Sequence, residues 1–188
     1  MSNTPIYLHL HTLTAPKTSQ NAQGGIVYAI LKDEAATEIF FTLLENQGGS
    51  GYFGREIIPF ANIAACLNGA DLKQTIPAKR FLKAFSASRS VNNGGFLCAC
   101  LRHQGLLKAA PESPQQHVIG DDWQAWKDKM LQTQSDDVFI SPDAERPTKA
   151  EPASSKASEK KDKKPAGKGK KEVPVPVSTE GDNNAHPA

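Results

Sequence analysis

The chain has 188 residues, a formal charge of +2 and only three cysteines. An odd, low cysteine count argues against a disulfide framework, and no apolar run approaches the ~20 residues a membrane span needs. With no basic-then-apolar leader at the N-terminus, the expectation is a cytoplasmic protein.

Ile6 to Leu13 alternates, with Tyr7, His9, His11 and Leu13 on one face of a first strand. Residues 14–25 are a loop, Gly25 to Leu31 is a second strand and Thr37 to Leu44 a third. The short polar link from Asp33 to Ala36 favours an antiparallel hairpin between them. Tyr52 to Ile58, ending at Pro59, is a candidate fourth strand. Phe60 to Leu67, closed by Asn68-Gly69, reads as a helix. Thr75 and Pro77 open another, with Ala78, Phe81, Leu82 and Phe85 on one face and Lys79, Arg80 and Lys83 on the other. Asn92-Asn93-Gly94-Gly95 precedes a third helix at about 94–105, and two short strands around the turn from Pro111 to Pro114 fill 106–119. Asp121-Asp122 opens a last helix, acids in the first turn suiting its dipole. Trp123, Trp126 and Met130 share one face of it, and the two tryptophans read as core residues. Ser135 to Ile140 closes the domain as its own final strand or packed end; addition to a partner's sheet is the alternative.

After Ile140 the chain has no aromatic residue and no Leu, Ile, Met or Cys, and it holds seven of the 13 prolines. Ordering a residue costs about 1–2 kcal/mol of backbone entropy, which a segment with so little to bury does not offset. The expected fold class is therefore α+β. Residues 1–140 form one domain, 1–58 mainly β as an N-terminal antiparallel sheet of three to four strands and 59–132 mainly helical. Residues 141–188 are a disordered Lys/Pro-rich tail.

Charge is segregated within a neutral domain. Residues 1–71 carry three basic and six acidic side chains, and residues 112–140 carry two and six. Residues 72–111 carry seven basic and no acidic ones. A cluster of that kind suits a phosphate-facing surface. The order helix, helix, helix, two-strand turn over 60–119 is similar to the winged-helix arrangement, and Leu101 to Leu107 looks like a third helix passing into a wing. That resemblance implies a third helix in the major groove and a hairpin on the backbone. The expected function is non-catalytic nucleic-acid binding, DNA ahead of RNA, with phosphate contacts from Lys79, Arg80, Lys83, Arg89, Arg102 and Lys108. In the tail, Lys160, Lys161, Lys163, Lys164, Lys168, Lys170 and Lys171 add a flexible, salt-sensitive and sequence-blind arm.

Two other classes remain. One is a protein-interaction or assembly module, using 135–140 or the tail, in which the basic stretch pairs with its own acidic flanks. The other is a small hydrolase using His9 and His11, although no carboxylate or nucleophile sits in a recognisable motif with them. No cofactor is implied. Gly49 to Gly54 matches G-x-G-x-x-G but lacks the strand-to-helix context. No metal is implied either, because Cys98 and Cys100 lie two apart on an expected helix, pointing apart, and read as small core residues.

Overall fold

The computed structural model describes residues 5–19, 21–70 and 74–141. The tail and its lysines lie outside the described residues. Within them the chain runs β1 Tyr7–Pro16, β2 Gly25–Asp33, β3 Ile39–Asn46, β4 Ile58–Pro59, α1 Phe60–Ala65, a 3-10 helix Ala78–Ala84, α2 Asn92–His103, β5 Leu107–Ala110, β6 Ser113–Ile119 and α3 Trp123–Gln132. None of these helices is long and apolar enough to cross a membrane.

The N-terminal sheet has the order β1-β2-β3-β4 and is antiparallel throughout. Asp33 makes the β2–β3 connection tight. Its carboxylate accepts from the Thr37 amide at 2.7 Å, the Thr37 hydroxyl and the Glu38 amide at 2.9 Å. Burial opposes ionisation of Asp33, but these donors outweigh it and hold the carboxyl below its ordinary value. Ile26, Tyr28, Ile30, Ile39, Phe41 and Leu43 carry the core side of the sheet, and all are buried. Phe60, Ile63, Phe81, Leu97 and Leu101 from the helices join them in one core. Trp123 and Trp126 pack on it too, with Trp126 5.6 Å from Phe41 and 5.1 Å from Phe60 between ring centroids. The core reading of the two tryptophans is thus correct.

The α+β architecture matches the expectation, with local differences. The fourth strand is only Ile58–Pro59; residues 51–57 run irregularly, tied to β3 by the Thr42 hydroxyl on the Arg55 carbonyl at 3.1 Å. Proline is tolerated there because β4 is an edge. The second helix is 3-10, not α. Its start lies against α2 so closely that a Cβ at Gly94 would sit 2.5 Å from the Ala78 carbonyl oxygen. The chain end returns along β1: the Phe139 amide donates to the Tyr7 carbonyl at 2.8 Å, and the His9 amide to the Asp137 carbonyl at 2.7 Å. Residues 137–139 are therefore the domain's own packed end, held on β1 by a single antiparallel bridge between Leu8 and Val138 and not by a full strand.

The winged-helix arrangement is not confirmed. A β5–β6 hairpin does follow α2, but α2 buries Asn93, Gly94 and the whole run from Leu97 to Leu101. A helix covered in this way has no face to lay in a groove.

Candidate nucleic-acid interface

The six basic side chains of the domain expected to contact phosphate divide into two groups. Arg102 leaves α2 half-buried and grips the hairpin. Its Nε donates to His117 Nδ1 at 2.8 Å, and its Nη2 to the carbonyls of Pro114 and Gln116, both at 2.7 Å. Burial lowers the Arg102 pKa from its ordinary value. His117 is fully buried, and burial together with the facing Arg102 charge lowers its pKa to about 4. With Nδ1 accepting, the neutral ring carries its proton on Nε2, which has no partner among the described residues. Arg80 does a similar job elsewhere: Nε donates to the Cys66 carbonyl and Nη2 to that of Asn68 at 2.8 Å. It thereby caps the C-terminal carbonyls of α1, where a cation also suits the helix dipole. Lys108 forms an exposed ion pair with Asp121 at 3.1 Å.

Lys79, Lys83 and Arg89 are different. All three are exposed, and none has a hydrogen bond or ion pair among the described residues. Lys79 and Lys83 stand on the 3-10 helix, and Arg89 on the loop that leads from it to α2. That loop is stitched down. Glu56 accepts from the Ser86 hydroxyl at 3.0 Å and the Ala87 amide at 2.8 Å. The Ser90 hydroxyl and Asn92 Nδ2 both donate to the Tyr52 carbonyl, at 2.6 and 3.0 Å. Buried Asn93 donates through Nδ2 to the Ser88 hydroxyl and accepts the Gly54 amide, at 2.8 and 2.9 Å. A backbone held at this many points presents its cations at low entropic cost.

Beside this segment lies a cleft of about 360 Å³, between the β1–β2 loop, the start of the 3-10 helix and the first turns of α2. Lys17, Thr18, Lys79, Val91, Gly95 and Phe96 are among its lining residues. Lys17 is fixed by the carbonyls of Gln23 and Gln47, at 2.9 and 2.6 Å. The sequence reading missed Lys17, Val91 and Gly95. The one usable signal was Asn92-Asn93-Gly94-Gly95, at the expected start of the third helix near 94; the helix begins two residues earlier, and these four residues form its first turn.

The two histidines of β1 do not act together. A register shift lies between them, pairing His9 with Leu31 and His11 with Ile30, so they fall on opposite faces of the sheet and not on the shared face expected. His9 instead bonds the Thr12 hydroxyl at 2.8 Å and stacks near Phe139. A third histidine is better oriented. Tyr28, fully buried, accepts from Gln104 Nε2, which leaves its hydroxyl proton for His103 Nδ1 at 2.9 Å. Burial pushes the Tyr28 phenol well above its ordinary value, the Gln104 bond opposing. Cys98 and Cys100 are buried free thiols, raised well above the ordinary range by burial. Among the described residues no group of three His, Cys, Asp or Glu is arranged to hold a metal ion.

Comparison with protein-family models, curated proteins and solved structures finds no match for this chain.

Proposed function

We propose that the domain is a non-catalytic nucleic-acid-binding module that contacts phosphates through Lys79, Lys83 and Arg89. The observation that carries this reading is the state of those three cations. They are exposed, and unpaired among the described residues, on one segment, 79–89, inside a 40-residue stretch free of acids. The nearby carboxylate of Glu56 is already occupied by the loop. Arg80, Arg102 and Lys108 leave the proposed contact set, because their donors already hold protein acceptors.

The test is binding of DNA and RNA oligonucleotides by the full chain across a salt series. Each phosphate contact contributes about one unit to the slope of log affinity against log salt. Replacing Lys79, Lys83 and Arg89 together by alanine should lower that slope by about three. An unchanged slope in the triple variant removes these residues from the reading, and absence of binding at low salt removes the reading itself.

One observation favours a second reading, a protein-interaction module. Ile6, Val138 and Ile140 are large apolar side chains left exposed at the sheet edge, around a groove lined also by Tyr7, Ile57 and Phe139. An exposed apolar patch of this kind suits a hydrophobic surface of a partner protein; the β1 backbone edge itself is already taken by residues 137–139. The salt series separates the two, since an apolar contact is insensitive to ionic strength.

A further inference from the structure

Three residues at the 360 Å³ cleft are poor choices for the fold, and each is poor in a different way. Gly95 lies inside the 12-residue helix α2, where glycine is the weakest helix former after proline. Gly94 next to it has a reason, the Ala78 carbonyl. Gly95 has none: a Cβ added there meets nothing within 4 Å. Val91 stands at the entry to α2 with helical backbone angles and makes no side-chain cap; the Ser90 hydroxyl before it accepts the Asn92 amide at 3.4 Å. It is also 82% exposed, so it gains little from burial. Lys79 is an exposed cation without a partner among the described residues. Local stability explains none of the three, yet all line the same cleft.

What the cleft offers is specific. Val91, Phe96, Ala78 and Ala99 supply apolar surface, and Lys79 with the tethered Lys17 supplies positive charge at its edge. Phe96 is held edge-on to Phe53 at 6.1 Å, so its ring is pre-set. The missing side chain at Gly95 lets a flat group approach the helix backbone closely. A planar, apolar-faced ring attached to a phosphate matches this combination: ring against Val91, Gly95 and Phe96, phosphate toward Lys79.

We propose that this cleft seats one unpaired nucleobase of a single-stranded nucleic acid, with its phosphate on Lys79. The inference rests on the nucleic-acid reading above and adds to it a substrate class, single strands. A base stacked in a duplex presents only its edge and does not enter.

The experiment compares a labelled oligothymidylate with an abasic strand of the same length and charge, by fluorescence anisotropy at low salt with the full chain. The wild type should bind the thymidylate strand about tenfold tighter, in the range that stacking a single base supplies. Gly95→Leu fills the cleft, and its side chain has free space to enter. It should bring the thymidylate affinity down to the abasic one and leave abasic binding unchanged. Val91→Ser, on an exposed side chain whose loss does not disturb the core, should narrow the same gap and guards against misfolding of the first variant. Lys83→Ala, outside the cleft, should weaken both strands alike. Equal binding of the two strands by the wild type, or a gap that survives both Gly95→Leu and Val91→Ser, overturns the cleft proposal and leaves the phosphate reading standing. No binding of either strand overturns both.

Discussion

Arg102 and Arg89 come from the same acid-free stretch and carry the same charge, but the fold uses them in opposite ways. Arg102 spends its donors on two carbonyls and a buried imidazole and joins α2 to the β5–β6 hairpin. Arg89 stands exposed on a loop that other residues hold in place. The same division separates Arg80 from Lys79, its immediate neighbour on the 3-10 helix. Charge density along a sequence counts cations; acceptor geometry decides which of them are free. Seven basic residues in 72–111 thus reduce, within the described residues, to three that can face a partner.

The largest expected effect tests the tethered group. Arg102→Ala should cost about 3 kcal/mol, since it leaves the Pro114 and Gln116 carbonyls and His117 without their charged donor. Urea unfolding at neutral pH measures it; a loss below 1 kcal/mol would mean that the hairpin does not depend on this anchor. Next comes His117. Its folded pKa of about 4 lies below the ordinary 6.5, so the folded state resists the proton. Above pH 6.5 both states are neutral and nothing is lost. Between 6.5 and 4 only the unfolded chain is protonated, so stability falls as pH falls, on the order of 2–3 kcal/mol over the window. Below that the loss levels off. Asp33 acts lower still: its carboxyl is depressed, so its contribution disappears only beneath the ordinary carboxylate value. Unfolding measured in steps from pH 7 to 4 should show the first slope, and His117→Phe should flatten it. Arg80→Met, which uncaps α1 at a half-exposed site, should cost a smaller amount, about 1 kcal/mol by the same measurement.

These contrasts also explain what the sequence made legible. Strand β2 follows from an unbroken apolar run, buried on both faces, since Ala29 and Leu31 are as covered as Ile26, Tyr28 and Ile30; helix α3 follows from Trp123, Trp126 and Met130 recurring at helical spacing. What escaped depends on residues distant in sequence or on single irregularities. The run 51–57 has strand-like residues, but Asn93, from α2, takes the Gly54 amide that a neighbouring strand would have used. The bulge at Leu10 is one residue of slippage, invisible in the pattern, yet it separates His9 from His11. The Arg102–His117 contact spans 15 positions and two elements, so composition shows the cation without its acceptor. The cleft was least legible of all, because its walls come from the β1–β2 loop, the 3-10 helix and α2, and Gly95 shapes it by lacking a side chain.

The smallest expected effects complete the comparison. Removing Lys79, Lys83 and Arg89 together should change the unfolding free energy in urea by no more than a few tenths of a kcal/mol, since none of them has a partner to lose among the described residues. Lys108→Ala should also change little, for a different reason. Its pair with Asp121 is well formed at 3.1 Å, but both side chains are 62% exposed, and water and salt screen such a pair to below about 0.5 kcal/mol. Stability therefore does not distinguish Lys108 from the exposed three, and binding must. If Lys108→Ala leaves the salt slope of nucleic-acid binding intact while the triple variant lowers it, the surface lies on 79–89. If Lys108→Ala lowers it by a full unit, Lys108 exchanges Asp121 for phosphate, and the contact surface extends across α2 onto the hairpin. The weak ion pair is then a resting state of a binding residue, and the division between free and occupied cations gains a third, exchangeable class.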